Sequence, residues 1–236
     1  MARLILVTGD KGGVGKSFTA RTLLDWYLSQ GKQVHAFDTD RTNSTLFRFY
    51  GEEAQVKQLD VENPGDLDEL LNNLGALSQA KSQDVILLDC AARTLDSFLR
   101  WMREVDFLNI KKELGFDMTL AFVLGPEKDC ITILKDVAEQ FRNAVDYVLI
   151  KNLARSSNFD LYENSNTRAT LIEELGASEL ELPALLEKTT LLLDRFNLGF
   201  SRALSHQSVQ LADRSRIKGF RARVGDSFTG VASKWI

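Results

Sequence analysis

Lys11-Gly12-Gly13-Val14-Gly15-Lys16-Ser17, directly after the apolar run Leu4-Ile5-Leu6-Val7, concentrates more usable chemistry than any other stretch of this chain. Glycines let a backbone bend tightly and aim its N–H groups at one point, which makes a cradle for phosphate oxygens. Gly12, Gly13, Val14, Gly15, Lys16, Ser17 and Phe18 are therefore the candidate nucleotide-binding residues. Lys16 and Ser17 stand where a phosphate-binding loop puts its ammonium and its Mg2+-binding hydroxyl. A second lysine, Lys11, opens the loop, and Asp10 stands where the pattern G-x-x-x-x-G-K-[ST] has a glycine.

Such a loop needs a strand before it, a helix after it, and acidic residues ending neighbouring strands. After Lys16-Ser17 the residues Ala20, Leu23, Leu24, Tyr27 and Leu28 line one helical face, so the positive end of that helix would point at the phosphates. The apolar runs Gln33–Phe37 and Val85–Leu88 end in Asp38-Thr39-Asp40 and in Asp89. Carboxylates at C-terminal strand ends face the crevice where open α/β sheets bind ligands. A nucleoside triphosphate such as ATP arrives with Mg2+, which prefers oxygen ligands and keeps several waters. Ser17 is then the direct metal ligand, Asp38 and Asp89 hold the metal's waters, and Asp40 is free to orient or deprotonate an attacking water. The plainer reading of these aspartates is a solvated turn after a strand. Phosphoryl transfer is mostly positioning and charge neutralisation, so Lys11, Lys16 and Asp40 form the expected catalytic set.

To position these residues the chain alternates short β-rich runs with longer helical periodicity, the pattern of a mostly parallel twisted sheet with helices on both faces. About seven strands are expected, at 3–8, 33–38, 55–61, 85–90, 119–124, 147–151 and 179–182. Helices are expected at 16–30, 66–79, 94–110, 127–143, 164–175, 183–194 and 198–211, with a weaker segment after them. Residues 63–66 and 154–160 read as surface loops. With 236 residues, 44% of them hydrophobic, and no repeat or Pro/Gly/Ser linker, residues 1–236 read as one domain. The first strand begins at once and no apolar run approaches a membrane span, so a cytoplasmic location is expected. Cys90 and Cys130 lack metal-site spacing and read as packing residues, and two histidines argue against a histidine metal cluster.

Together these features resemble the deviant Walker A P-loop ATPases of the ParA/MinD family. The resemblance rests on Lys11–Ser17, on Asp38-x-Asp40 at 22 and 24 residues after Lys16, and on Asp89 closing its hydrophobic strand. Asp38 to Phe47, with the weaker stretches Lys151–Arg155 and Glu181–Leu185, is most similar to the plasmid-transfer and plasmid-stability branch. The family implies an ATPase switch. ATP binding makes a sandwich dimer, Lys11 contacts the partner's nucleotide, and slow hydrolysis, stimulated by an adaptor protein, separates the subunits. By position Asp40 matches the hydrolytic aspartate, Asn152 the adenine-contacting asparagine, and Leu182-Pro183 the loop behind the base. Read from the residues alone, Asn152 is equally a strand cap and Pro183 a first helical residue. Arg41-Thr42 and Cys90-Ala91-Ala92 depart from the chromosome-partition members, which usually have Pro-Gln and prolines there. The chain shows no N-terminal helix-turn-helix extension, so site-specific DNA binding is not expected.

The net charge of −4 hides an asymmetry, because residues 202–236 carry +5 and residues 1–201 carry −9. Arg214, Arg216, Lys218, Arg221 and Arg223 interleave with Ile217, Phe220 and Val224, and the apolar stripe continues at Phe228, Val231 and Trp235. Three readings follow: a final helix packed on the domain, a phosphate contact to nonspecific DNA, or an interfacial membrane helix like the MinD-type tail. The corresponding functions are an ATP switch in plasmid or DNA partition, stability or conjugative transfer, or a membrane-associated positioning ATPase. A metabolic P-loop enzyme is the third alternative.

Overall fold

The computed structural model describes residues 1–9, 11–91 and 94–235; Asp10 and Ala92, two of the departures noted above, lie outside them. In chain order the elements are β1 (Arg3–Gly9), α1 (Lys16–Ser29), β2 (Val34–Asp38), α2 (Thr45–Ala54), β3 (Lys57–Gln58), α3 (Pro64–Gln79), β4 (Val85–Asp89), α4 (Leu95–Glu104), α5 (Phe107–Leu114), β5 (Asp117–Leu124), α6 (Lys128–Phe141) and β6 (Asp146–Asn152). There follow α7 (Asp160–Glu163), α8 (Asn166–Ala169), β7 (Ser178–Leu182), α9 (Glu187–Phe196), α10 (Phe200–Ala203) and α11 (Leu211–Thr229).

Among the described residues the strands form one seven-stranded sheet of order β3-β2-β4-β1-β5-β6-β7. Every adjacent pair is parallel. The chain builds outward from β1 to β2 and β3, returns to insert β4 beside β1, and then continues to the other side with β5. The reversal puts a crevice at the C-terminal ends of the central strands. β1 is buried at all seven positions, and its alternation divides the core: Leu4 and Leu6 pack under α3–α7, while Ile5 and Val7 pack under α1, α2 and α9–α11.

Several boundaries differ from the sequence reading, each for a local reason. The strand expected at 55–61 pairs only at Lys57 and Gln58, because Gln55 adopts a left-handed conformation and the chain turns at Asp60. The helix expected at 94–110 is two helices, split at Asp106, whose φ of 53° is one that Asp tolerates and whose carboxylate accepts from Asn109 Nδ2 at 2.7 Å. Helix α2 was not expected, although Leu46, Phe49 and Tyr50 have helical spacing and are buried. Asn63 and Pro64 are not a loop but the cap and first residue of α3, with Asn63 Oδ1 accepting from Gly65 N at 3.1 Å. Pro183 is likewise not a first helical residue, since α9 begins only at Glu187.

The weak final segment is the longest helix. α11 runs through Gly219 and Gly225, each costing about 1 kcal/mol relative to alanine, because Ile217, Phe220, Val224 and Phe228 are all buried in the core. The expected helix at 198–211 shrinks to α10. Beyond α11, Trp235 is fully buried and its carbonyl accepts from Tyr27 Oη at 2.6 Å, while Lys234 pairs with Asp146 at 2.8 Å. The stripe proposed for a membrane surface is thus already inside the protein. Among the described residues, no helix is long and apolar enough to cross a membrane.

Candidate functional site

Residues 11–15 connect β1 to α1 beneath the crevice. Gly13 and Gly15 have φ of 91° and 105°, a region that side chains disfavour, and a Cβ on Gly15 would sit 2.1 Å from Asn152 Nδ2. Thr19 N and Oγ1 both donate to Gly15 O, at 2.9 and 3.0 Å, which ties the loop to the first turn of α1. Lys16 is buried, and its Nζ donates to Lys11 O at 2.6 Å, so the ammonium curls back along the loop. Lys11 is half exposed and its Nζ lies 3.0 Å from Asp129 Oδ2 in the first turn of α6. Phe18 points its ring away from the loop, against Phe200 and Phe220 at centroid distances of 5.9 and 5.7 Å, leaving only its backbone on the loop side.

Asp38 and Asp89 are register partners at the ends of β2 and β4, and Asp89 is also paired in register with Val7 of β1. Both carboxylates are buried. Asp38 is held by backbone donors, with Oδ1 accepting from Asp40 N at 2.9 Å and Oδ2 from Phe47 N, in the first turn of α2, at 3.1 Å. Neither oxygen of Asp89 has a hydrogen-bond partner among the described residues. Burial first, and the neighbouring Asp38 charge second, push the Asp89 carboxyl up to about 7, offset only in part by Ser17, Lys16 and Arg21. Burial also raises Asp38, against the pull of the N–H groups of Phe47, Asp40 and Leu46. Two adjacent buried carboxylates, one with both oxygens unsatisfied and close to a serine hydroxyl, are an oxygen-only donor set suited to a hard divalent cation such as Mg2+.

Asp40 is partly exposed and its carboxylate closes its own turn: Oδ1 accepts from Thr42 N and Asn43 N, both at 3.0 Å. Asn152 ends β6, is 1% exposed, and donates Nδ2 to Val14 O at 2.9 Å while Oδ1 accepts from Ala154 N at 3.1 Å. Its register partner is Leu182, and Leu153 N donates to Leu182 O at 3.0 Å, so the loop bearing Pro183 lies beside it. The structure thus brings the loop, Asp38, Asp89 and Asn152 to one end of the sheet.

Two contributors went unnoticed in the sequence. Thr39 is buried and its hydroxyl joins the ends of β2 and β4, donating to Asp89 O at 3.0 Å and accepting from Ala91 N at 2.9 Å. Its position between two site aspartates was the available signal. Arg21 is buried on α1 with its guanidinium 3.8 Å from the Phe49 ring centroid of α2, and burial lowers its pKa to about 10. Nothing in the helical pattern marks that residue as other than a solvated arginine.

Two relatives, one solved structure and one family profile bear on this arrangement. "Protein MobD" of Acidithiobacillus ferrooxidans is 23% identical over 98% of this chain and 99% of its own length. "Protein TraL" of Escherichia coli is 24% identical over 92% of this chain and 93% of its own length. The septum site-determining protein MinD complexed with Mg-ADP, from Pyrococcus horikoshii OT3, shares the fold with a TM-score of 0.54 at 18% identity, covering 98% of each chain. The profile of the CobQ/CobB/MinD/ParA nucleotide binding domain matches residues 5–228, and the chain belongs to that family.

Proposed function

We propose that the chain is a slow, ATP-hydrolysing dimerisation switch acting in plasmid partition, plasmid stability or conjugative transfer. The observation that carries the reading is the unsatisfied, fully buried Asp89 carboxylate next to Asp38, at the mouth of a glycine loop holding Lys16 and the half-exposed Lys11. Family membership supports nucleotide binding. The nearly full-length similarity to MobD and TraL agrees with the likeness of residues 38–47 to the plasmid-transfer branch.

In this reading the N–H groups of residues 12–18 receive the phosphates, and Lys16 leaves Lys11 O to meet the β and γ phosphates. Ser17 would bind Mg2+ directly and Asp38 and Asp89 would hold its waters, so that the ion would supply positive charge to the phosphates. Asp40 leaves its turn with Thr42 and Asn43 to orient the attacking water, a rearrangement in keeping with slow turnover. Lys11, on the outer side of the loop, exchanges Asp129 for the nucleotide of a second subunit. Lys218 and Arg223, exposed on α11, are available to nonspecific DNA, and a further protein partner stimulates hydrolysis.

The test is the mass of an Asp40→Ala variant by size exclusion with light scattering. With Mg-ATP the expected species is a dimer, and without nucleotide a monomer. An unchanged mass in ATP would overturn the switch.

A further inference from the structure

Asn152 is expected, by resemblance, to contact the adenine base, yet its amide is engaged at both ends inside the protein. One Nδ2 hydrogen goes to Val14 O, in the middle of the loop, and Oδ1 accepts from the backbone N–H two residues ahead. A trans peptide points its C=O and the following N–H in opposite directions. Holding Val14 O toward Asn152 therefore turns the N–H of Gly15 the other way, and the peptide cannot rotate without breaking the bond. The contact is tight as well as directional. The amide lies so close to Gly15 that any Cβ there would meet Nδ2 at 2.1 Å, and Gly15 keeps its φ of 105° under that cover. On the far side Thr19 fixes Gly15 O, so one glycine is held from β6 and from α1 together. Asn152 itself does not move freely, being paired in register with Leu182 in the sheet.

We infer that Asn152 is a positioning residue for the phosphate loop, so that its amide governs the affinity for the polyphosphate itself, with or without a base attached. The inference rests on the nucleotide-binding reading and adds to it a physical link between the base-side loops and the phosphate cradle. A side chain that served only to contact adenine would leave a base-free ligand unaffected.

The experiment compares wild type with Asn152→Ala, measuring by calorimetry the binding of Mg-ATP and of Mg-tripolyphosphate, which has no base. Loss of one buried hydrogen bond in the cradle is expected to weaken both ligands by similar factors, about fivefold to tenfold. Hydrogen exchange of the ligand-free proteins gives an independent reading: amides of residues 11–17 should exchange faster in the variant, while β1 and β5 should not change. If Asn152→Ala does not fold, as judged by its circular dichroism and unfolding midpoint, Asn152→Ser serves instead. The neutral serine keeps a side-chain oxygen that can accept from Ala154 N and lacks the amide donor to Val14 O, without adding a charge beside the phosphates. Weakening of ATP with tripolyphosphate affinity and loop exchange unchanged would overturn the inference and restore a base-only role. Wild type binding neither ligand would overturn the nucleotide reading itself, and the inference with it.

Discussion

A fully buried carboxylate holds its charge only against a desolvation cost, and Asp89, with the Ser17 hydroxyl close by but no hydrogen bond to either oxygen among the described residues, is such a group beside a second carboxylate. Its folded pKa of about 7 lies above the ordinary 3.8. Between those values the folded chain binds a proton that the unfolded chain has already lost. Asp89's contribution to the stability of the ligand-free protein therefore falls as pH rises from about 4 to about 7, and levels off above. Asp89→Asn is expected to stabilise the ligand-free chain at pH 8 by about 1–3 kcal/mol, several degrees in Tm, and to flatten that pH dependence. Thermal unfolding of both proteins at pH 5 and pH 8 checks it; an equal Tm difference at the two pH values would contradict the assignment. Gly15 shows the other side of the residue scale. Its identity was readable as a loop glycine, but the contact that demands it, Asn152 across the sheet end, is 137 positions away in the chain.

Helices α1, α2, α10 and α11 meet at a buried cluster built on Asp25. Oδ1 accepts from Tyr50 Oη at 3.3 Å and from Ser201 N and Oγ at 3.2 and 2.9 Å, while Oδ2 accepts from Arg221 Nε at 2.7 Å. Removing the shared acceptor leaves donors on three elements without it, the buried Tyr50 hydroxyl among them. Asp25→Ala is expected to cost about 2–4 kcal/mol, or about 5–10 °C in Tm, without changing the residues that line the phosphate loop. A Tm change below about 1 °C in a melting curve would show that the cluster does not couple these helices. At this scale the sequence was most legible where one pattern was strong and local, as in β1, β4, β5 and α1. It was least legible where packing overrode local preference: α11 keeps its helix across two glycines because its apolar stripe is buried, and α4 and α5 separate at one left-handed aspartate.

For the whole molecule the question is what surface the final helix leaves to a partner. Arg221 is paired with Asp25, Arg216 with Asp213, and Arg214 donates to His206 O, whereas Lys218 and Arg223 are exposed. The basic segment thus offers a nucleic acid fewer cations than its composition suggested. If nonspecific DNA is a partner, replacing Lys218 and Arg223 by alanine should lower the slope of log K against log salt by about 2, and fluorescence anisotropy over a salt series measures it. Binding with an unchanged slope would place the contact elsewhere. Ending the chain at Asp213 is not an equivalent comparison, because it removes Ile217, Phe220, Val224, Phe228 and Trp235 from the core. The sequence by itself determined the glycine loop after β1, the aspartates that close β2 and β4, and the alternating α/β order, because each is written in neighbouring residues or in short-range periodicity. Only the tertiary structure decided that Asp38 and Asp89 stand side by side, that Asn152 bonds Val14 of the glycine loop, and that the tail is core. Those facts depend on strand order and on long-range packing, which bring together residues that no local pattern relates.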